Sequence, residues 1–205
     1  MCCVIADANV IVRELSALER GALERHFLAL ESEDRRLRFG IAIGDHALRA
    51  YVHGIDFGRD AVFGVLDDEL ELLGVAHLAR DATSAELGVS VLAAHRGRGI
   101  GGALLARAHT HARNWGVRTL FMHCLRENGA MMHLARKQGM NLAAEAGEVD
   151  AHLILPPADA GTHFGEVFAQ RVALFDHALK AQLLRARQIA GAFATPGTAS
   201  PAREK

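Results

Sequence analysis

A glycine-rich segment at residues 96–103 carries the residue types best suited to holding a phosphate group. Within it, four glycines in six residues remove side chains where a backbone must approach a ligand closely. A strand-like apolar run precedes the segment and a helical pattern follows it, so its amides stand at a helix N-terminus, where partial positive charge attracts anions. Arg96 and Arg98 add cationic donors. The segment therefore predicts a phosphate-binding turn between a strand and a helix.

Two common nucleotide-binding motifs do not fit the surroundings of this turn. Gly97, Gly99 and Gly102 satisfy the G-x-G-x-x-G dinucleotide fingerprint. That fingerprint opens the first unit of an alternating series of strands and helices, whereas here a hairpin and a further strand come first. The G-x-x-x-x-G-K-[ST] pattern is absent from the sequence. A nicotinamide-dependent oxidoreductase is therefore disfavoured, and a nucleoside-triphosphate loop is excluded.

The elements that position the turn follow from hydrophobic periodicity and from helix-start and turn signals. Ser16, with Glu19 three residues later, forms a capping-box pattern at the start of the first helix. The predicted strands cover residues 10–12, 61–66, 70–78, 84–93, 119–125, 142–144 and 149–155. The predicted helices begin at Ser16 and Ser32 and then cover residues 45–55, 101–115, 128–138 and 162–190.

This order of elements predicts an α/β fold of the α+β type, in which helices flank a mixed, mostly antiparallel sheet. A helix crosses between the strands at 84–93 and 119–125, so we expect that pair to be parallel. We predict one domain over residues 1–157, a C-terminal amphipathic helix over 158–192 and a disordered tail over 193–205. The helix either packs on the domain or forms a dimer contact, and it carries an apolar stripe. The stripe consists of Phe164, Phe168, Val172, Phe175, Leu179, Leu183 and Ile189.

Composition and charge narrow the class of protein. The chain has 205 residues, and its 23 basic and 24 acidic residues give a net charge of -1. A broad nucleic-acid-binding surface usually brings a basic excess, so we expect no nucleic-acid partner. The sequence has neither an uncharged apolar run of about 18 residues nor a secretory signal, so we expect no membrane insertion and no secretion. Three cysteines cannot build a disulfide framework, which favours a cytoplasmic location.

The twelve histidines do not assemble a metal-binding pattern. His109 and His111 are two residues apart on a predicted helix and point to different sides. His123 and Cys124 are neighbours on a predicted strand and face opposite ways. Neither C-x-x-C nor H-E-x-x-H occurs, so we expect no metal. Cys124 lies in an apolar strand and is expected to be a buried core residue.

Several motifs of the chain resemble those of one enzyme superfamily. The residues Arg96-Gly97-Arg98-Gly99-Ile100-Gly101 match [Q/R]-x-x-G-x-[G/A], the pyrophosphate-binding motif of the GNAT superfamily of acyl-CoA N-acyltransferases. Ala85-Glu86-Leu87 is similar to a segment at the start of the preceding strand in several members. The layout of the second CoA-side helix is matched by Asn128, Leu134, Gly139 and Met140. Residues 9–155 therefore resemble a GNAT acyltransferase.

A pattern near the N-terminus is similar to that of bacterial protein lysine acetyltransferases of the superfamily. The pattern is F-x-x-L-x-x-E-x-R-x-x-R-F, formed here by Phe27, Leu30, Glu33, Arg35, Arg38 and Phe39. Within this stretch, Arg35, Arg36 and Arg38 are expected to form a solvated or salt-bridged helix face. Contact with the substrate is the alternative, because acceptor specificity in the superfamily often comes from the early helices.

The resemblance implies a cofactor site. In the superfamily an acyl-CoA lies between two splayed parallel strands, which here correspond to residues 85–93 and 118–125, and the implied co-substrate is acetyl-CoA without a metal. The main chain of three strand residues is expected to hold the thioester and the pantetheine arm: Val89, Ser90 and Val91. The pyrophosphate is expected to lie against Arg96, Gly97, Arg98, Gly99, Ile100, Gly101, Gly102 and Ala103. Asn128 is expected to contact the pantetheine side.

The resemblance also implies direct attack of an amine on the thioester. A lysine-like amine with a pKa of about 10.4 is unprotonated only about once in 2,500 molecules at pH 7, which is equivalent to about 4.6 kcal/mol. Glu86 is a carboxylate in an otherwise apolar strand, where some relatives carry their general base. We predict that role for Glu86, and the alternative is an acid that only supports the strand edge or orients the substrate.

The leaving thiolate lacks the proton donor that many relatives use. They carry a tyrosine seven residues after the asparagine, where this chain has Ala135, and its only tyrosine, Tyr51, is distant in sequence. A thiol with a pKa of about 8.5 is already a fair leaving group, so the missing tyrosine does not exclude activity. Water, His133 or Cys124 remain as substitutes for the proton donor. His77 is either a hydrogen-bonded core histidine or, if it faces the acceptor, a group that orients the substrate.

We therefore predict an N-acetyltransferase that moves an acetyl group from acetyl-CoA to a primary amine, either a protein lysine or a small amine. A non-catalytic acyl-CoA-binding regulatory module is the alternative, because the usual tyrosine is replaced. The expected partners are an acyl-CoA and an amine acceptor, and the C-terminal helix leaves a homodimer open.

Overall fold

One sheet of seven strands runs through the computed structural model, which describes residues 10–145 and 147–193. The strands are β1 (Arg13–Leu15), β2 (Ala61–Leu66), β3 (Leu72–Asp81), β4 (Ser84–Val91), β5 (Thr119–Leu125), β6 (Asn141–Glu145) and β7 (Glu148–Ile154). Their order is β1-β2-β3-β4-β5-β7-β6, and only the β4–β5 pair is parallel. This confirms the predicted fold class. The first strand lies three residues later than predicted, and the predicted tail from residue 194 onwards lies outside the described residues.

Six helices flank the sheet within the described ranges. They are α1 (Arg20–Leu28), α2 (Ser32–Phe39), α3 (Asp45–Gly54), α4 (Ile100–Asn114), α5 (Gly129–Lys137) and α6 (Ala160–Phe193). The predicted capping box at Ser16 is present, since its hydroxyl accepts from the Leu18 amide at 3.2 Å and its own amide donates to Glu19 at 2.8 Å. None of the described helices is both long and apolar enough to cross a membrane.

Side chains alternate between the two faces of the sheet and supply two separate hydrophobic clusters. Along β2, Val62 belongs to the cluster beneath α1 and α3, whereas Ala61 and Phe63 belong to the cluster beneath α4. Val75 and Ala76 of β3 divide in the same way, because successive side chains of a strand point to opposite faces. The first three helices therefore cover one face, and α4 and α5 cover the other.

The parallel strands β4 and β5 pair only where they begin. Their register covers residues 84–86 of β4 and 119–121 of β5. β4 then continues to Val91 and β5 to Leu125 without pairing to each other, while β3 and β7 hold their outer edges. The two strands therefore splay, and a gap opens between them beyond Glu86.

The C-terminal helix packs on α4 and β1 through polar side chains. Glu166 of α6 accepts hydrogen bonds from Arg107, His111 and Asn114 of α4. The apolar stripe points away from the domain, with Phe164 81% exposed and Phe175 73% exposed. The helix therefore lies on the domain, but with its polar face and not with the apolar stripe. The dimer contact stays a prediction.

Glu166→Gln is expected to loosen α6 at neutral pH. Burial favours the neutral carboxyl, but hydrogen bonds from His111, Arg107 and Asn114 outweigh burial and lower the pKa of Glu166 from 4.5 to about 2. A carboxyl with a lowered pKa stabilises the fold above its unfolded pKa and loses this contribution as the pH falls from about 4.5 to about 2. We expect the substitution to lower the free energy of unfolding by about 2 kcal/mol at pH 7, with the difference vanishing across that acid range.

Thermal melting measured against pH checks this expectation. The control is Glu69→Gln, which breaks an exposed pair with Arg187 of α6 at 3.8 Å and should change stability by less than about 1 kcal/mol. Melting curves of Glu166→Gln and wild type that stay equally far apart from pH 7 to pH 2 would contradict the role given to Glu166.

Candidate active site

The gap between β4 and β5 exposes main-chain groups of β4. The Leu92 amide donates to the Leu73 carbonyl at 2.9 Å, and hydrogen-bonded residues alternate along an antiparallel pair. Ser90 therefore has its main chain bonded to β3, whereas Val89 and Val91 direct their amide and carbonyl groups into the gap. Of the three residues predicted to hold a ligand by their main chain, Ser90 is not placed to do so.

Ser90 instead uses its side chain, which forms a buried pair with His26 of α1. The Ser90 hydroxyl lies 2.9 Å from His26 Nε2, and His26 Nδ1 lies 2.9 Å from the Leu72 carbonyl. Since a carbonyl only accepts, His26 donates from Nδ1 and accepts the Ser90 hydroxyl proton at Nε2. Burial lowers the pKa of His26 to about 4, so the imidazole is neutral near pH 7 and fixes α1 against β4.

The glycine turn presents free amides at the end of the gap. Gly97 and Gly99 have φ angles of 74° and 80°, a left-handed conformation that glycine adopts without a steric penalty. Among the described residues, the amides of residues 97–102 have no hydrogen-bond partner. The Ala103 amide donates to the Gly99 carbonyl at 3.0 Å and is not available to a ligand. Because α4 begins at Ile100, the free amides lie at its positive end.

A cavity of about 540 Å³, which we name the turn cavity, joins the glycine turn to the gap. The predicted cofactor-binding residues that line it are Val89, Ser90, Val91, Arg96, Gly97, Gly99, Ile100, Gly101, Gly102 and Asn128. Arg98 and Ala103 do not line it. Asn128 caps α5 by accepting from the Met131 amide at 3.1 Å and also donates to the Leu37 carbonyl of α2 at 3.4 Å. The cavity is therefore bounded by α2, α5 and the turn.

Arg96 is held by protein groups beside the turn cavity. Its guanidinium lies 2.6 Å from the Asp34 carboxylate of α2, and its Nε donates to the Val91 carbonyl at 3.2 Å. The side chain thus ties the turn to α2 and uses one of the carbonyls that face the gap. An anion bound at the turn has to share Arg96 with Asp34.

A second cavity of about 330 Å³, which we name the Glu86 cavity, lies on the face of the sheet covered by α2 and α3. Its floor includes His77 of β3, Glu86 of β4 and His123 of β5. Glu86 stands at the last paired position of β4, opposite Phe121, and its side chain is exposed. Within the described part of the chain, its carboxylate makes no hydrogen bond and no ion pair. It is therefore free to meet a cation.

Arg38 stands between the two cavities and lines both. Its guanidinium lies over the backbone of Gly88, in the space that a Cβ at this position would occupy. Glycine at position 88 is therefore what allows Arg38 to reach across β4. The other arginines of the predicted basic face are salt-bridged, Arg35 to Asp45 and Arg36 to Glu33 and Glu127.

Tyr51, on α3, reaches the Glu86 cavity although its place in the sequence gave no hint of this. Its hydroxyl lies 2.7 Å from His77 Nδ1 and accepts from Arg38 Nη2 at 3.1 Å. His77 is buried, and its Nε2 lies 3.3 Å from an oxygen of Asp60. His77 is thus a hydrogen-bonded histidine that also faces the cavity, and its role in orienting the substrate stays a prediction.

Comparison with known proteins decides the family. A sequence model described as the acetyltransferase (GNAT) family matches residues 22–140, which is more than half of the chain. The chain belongs to the GNAT acetyltransferase family. No curated protein matches it.

Solved structures share the GNAT fold at low sequence identity. The GNAT domain of S. lividans PAT is 21% identical, with a TM-score of 0.61, and the match covers 70% of this chain and 89% of that one. A putative acetyltransferase from Salmonella typhimurium, yncA, solved with acetyl-CoA, is 18% identical, with a TM-score of 0.57. The match covers 75% of this chain and 98% of that one. Spermidine N-acetyltransferase from Vibrio cholerae, solved with CoA and spermine, is 18% identical, with a TM-score of 0.56. The match covers 70% of this chain and 94% of that one.

In this GNAT chain α5 offers no proton donor at the position where the resemblance places a tyrosine in many relatives. Ala135 is fully buried in the core beneath α5. Cys124 is also buried, its thiol donates to the Val149 carbonyl at 3.7 Å, and burial raises its pKa. Cys124 is thus a core residue, as predicted from its apolar strand. Of the predicted substitutes, only His133 lines the turn cavity.

One cluster of metal-ligand side chains occurs among the described residues of this GNAT chain, formed by Glu14, His111 and Glu166. The Arg107 guanidinium donates to Glu166 and, at 3.5 Å, to Glu14. An arginine therefore already balances the carboxylates of this cluster, and we assign no metal to it.

Proposed function

We propose that this protein is an N-acetyltransferase that transfers the acetyl group of acetyl-CoA to a primary amine by direct attack. One observation carries the proposal: among the described residues, the unpartnered amides of residues 97–102 lie at one end of the open edge of β4, and the unpaired Glu86 carboxylate lies at the other end. The structures with acetyl-CoA, and with CoA and spermine, support it as proteins of the same fold.

The chain offers the groups that such a co-substrate needs. The amides of residues 97–102 would donate to the diphosphate, and the N-terminus of α4 adds positive potential. Main-chain groups of Val89 and Val91 would pair with the amides of the pantetheine arm, as an added strand would. Asn128 would bound the pantetheine side, and the exposed Arg98 would approach the phosphates from solvent. Acetyl-CoA supplies the activated acetyl group.

Glu86 is the proposed general base. The acceptor arrives as an ammonium ion, and freeing its lone pair at pH 7 takes about 4.6 kcal/mol for a lysine-like amine. The Glu86 carboxylate is exposed and lines its cavity, so it can accept that proton and pass it to solvent. The neutral amine then attacks the thioester carbon, the C–N bond forms, the C–S bond breaks, and the thiolate takes up a proton.

The Glu86 cavity suits an acceptor with one positive charge at its reacting end. Glu86 and Glu148 line the cavity and attract an ammonium group. Arg38 lines the same cavity, so a second cation close to its guanidinium is repelled. A protein lysine and a small monoamine both meet this description, and we propose this class as the acceptor.

Acetyl-CoA is expected to raise the melting temperature, whereas NADH is not. At a concentration of 100 times Kd, a ligand that binds only the folded state adds about 2.7 kcal/mol of stability. Thiol release from acetyl-CoA with polyamines, aminoglycosides, amino acids and lysine peptides then tests catalysis. Stabilisation without thiol release for any amine would favour the non-catalytic acyl-CoA-binding module, and the absence of stabilisation would refute both.

A homodimer and a cytoplasmic location belong to the same proposal. The apolar stripe of α6 is exposed along its length, and a second copy of the chain would cover it. Sedimentation distinguishes a dimer from a monomer, and we expect the wild type to sediment as a dimer and Phe168→Ser to shift towards the monomer. Phe168 is 70% exposed, so its loss should not disturb the domain.

A further inference from the structure

Four side chains from four different segments form one line of hydrogen bonds beside the Glu86 cavity. Arg38 of α2 donates to the Tyr51 hydroxyl of α3 at 3.1 Å, and this hydroxyl lies 2.7 Å from His77 Nδ1 of β3. His77 Nε2 lies 3.3 Å from Asp60, which also accepts from Arg59 at 3.0 Å. The line runs from the cavity wall to a buried carboxylate.

The protons on this line can be assigned from the chemistry of its ends. Burial raises the pKa of Asp60, but hydrogen bonds from Arg59 and His77 outweigh it and hold the pKa below its usual value, so Asp60 is a carboxylate and only accepts. His77 therefore donates from Nε2, which leaves Nδ1 as an acceptor. The Tyr51 hydroxyl donates to Nδ1, and the oxygen of Tyr51 accepts from Arg38.

This arrangement is held rigidly at the place where the proposed reaction occurs. The Tyr51 ring packs edge-on against Phe27 and Phe39, with ring centroids 5.4 and 5.0 Å away. Tyr51, His77 and Glu86 all line the Glu86 cavity. Of the line, Arg38, Tyr51 and His77 line this cavity, and the Tyr51 oxygen lies between the other two side chains.

We propose that Tyr51 and His77 form a proton relay that takes the second proton from the attacking nitrogen and returns it to the leaving thiolate. The inference rests on the acetyltransferase function proposed above. It assigns the acid that Ala135 cannot supply to a tyrosine from α3.

The proton balance of the relay closes. When the C–N bond forms, the nitrogen carries an excess proton, which moves to the Tyr51 oxygen while the Tyr51 proton moves to His77 Nδ1. His77 is then an imidazolium ion paired with Asp60. As the C–S bond breaks, the imidazolium returns a proton through Tyr51 to the thiolate, which leaves as a thiol. The amine and acetyl-CoA become an amide and CoA, and the relay ends as it began.

The charges around His77 leave it ready to accept a proton. Burial lowers the pKa of His77, partly opposed by Asp60, and the remaining charged groups that face it are Arg38, which lowers the pKa, and Glu86, which raises it. His77 is therefore neutral at pH 7. Activity that depends on the neutral imidazole is lost as the pH falls through a value below 6.5.

Tyr51→Phe is the most direct test, because it removes one oxygen and keeps the ring that packs on Phe27 and Phe39. We expect kcat to fall by about 100-fold or more, within the range for general acid–base catalysis, while the Kd of acetyl-CoA stays unchanged. In the wild type, kcat/KM should fall at low pH as His77 becomes protonated. This part of the pH dependence should disappear in the variant. His77→Asn should produce the same two changes, and melting curves confirm that each variant is folded.

The matched control is His53→Gln, which removes an exposed histidine of the same helix that lies 3.7 Å from Glu24. It should keep the wild-type pH profile. A Tyr51→Phe protein with wild-type kcat and an unchanged profile would overturn the relay while leaving the acetyltransferase function standing. A wild type that binds acetyl-CoA but releases no thiol with any amine would overturn the proposed function and remove the relay with it.

Discussion

Gly102→Glu is expected to weaken acetyl-CoA binding by about 100-fold, equivalent to about 2.7 kcal/mol. Gly102 lies in the first turn of α4 and lines the turn cavity. Its φ is not left-handed, and an added Cβ meets only Leu134 Cδ2 at 4.0 Å, so the fold should accept a side chain here. The new carboxylate would stand where the free amides receive the diphosphate and would repel it. Calorimetry of acetyl-CoA binding measures the change.

Gly102→Gln is the matched control, because glutamine has the size of glutamate without its charge. We expect its affinity to lie between wild type and the glutamate variant, with the difference between the two variants shrinking in high salt. Both variants should melt at or above the wild-type temperature without ligand, since glycine is the less favourable residue inside a helix. Equal affinity of all three proteins would place the diphosphate away from the turn.

The turn could be predicted from sequence because local rules govern it. Glycines at 97 and 99 are needed by the local backbone, whose φ is positive there, and the helix start that follows is visible in the apolar spacing. The capping box at Ser16 is equally local. The splayed pair was predictable for a different reason: it came from the family resemblance, since no local signal says where β4 and β5 stop pairing.

The Glu86 cavity could be predicted only in part. Glu86 was recognisable as a charge in an apolar strand, but Tyr51 and Arg38 reach the cavity through the packing of α2 and α3 on the sheet. Their contacts cross gaps of 26 residues, from Tyr51 to His77, and of 13, from Arg38 to Tyr51. Hydrophobic periodicity predicts which face of a helix is buried. It does not predict which strand residues that face contacts.

The face of α6 that packs on the domain could not be predicted from its apolar stripe. Apolar residues at helical spacing normally mark the face that packs on a core. Here Glu166 binds three partners on α4, and this buried polar contact sets the rotation of α6. The spacing of apolar residues along α6 does not show that Arg107 and His111 of the facing helix form hydrogen bonds to a carboxylate.

Glu86→Gln is expected to lower kcat by about 100- to 1,000-fold at pH 7 and to leave the Kd of acetyl-CoA unchanged. The fold should be unaffected, because the side chain is exposed and has no partner among the described residues. Without the carboxylate, only amine molecules that are already neutral react. The rate of the variant should therefore rise about tenfold for each pH unit, and the deficit should close about two to three pH units above 7, as the pH approaches the amine pKa of about 10.4.

Glu148→Gln separates a base from a general attraction for cations, since Glu148 lines the same cavity on β7. It should raise the KM for the amine and keep the wild-type dependence of kcat on pH. The double variant Glu86→Gln with Tyr51→Phe then tests how the two proposed groups divide the protons. If Glu86 removes the proton of the ammonium ion and Tyr51 the proton of the attacking nitrogen, the two steps follow one another, and the two losses should multiply. A double variant no slower than Glu86→Gln alone would mean that both residues serve one proton.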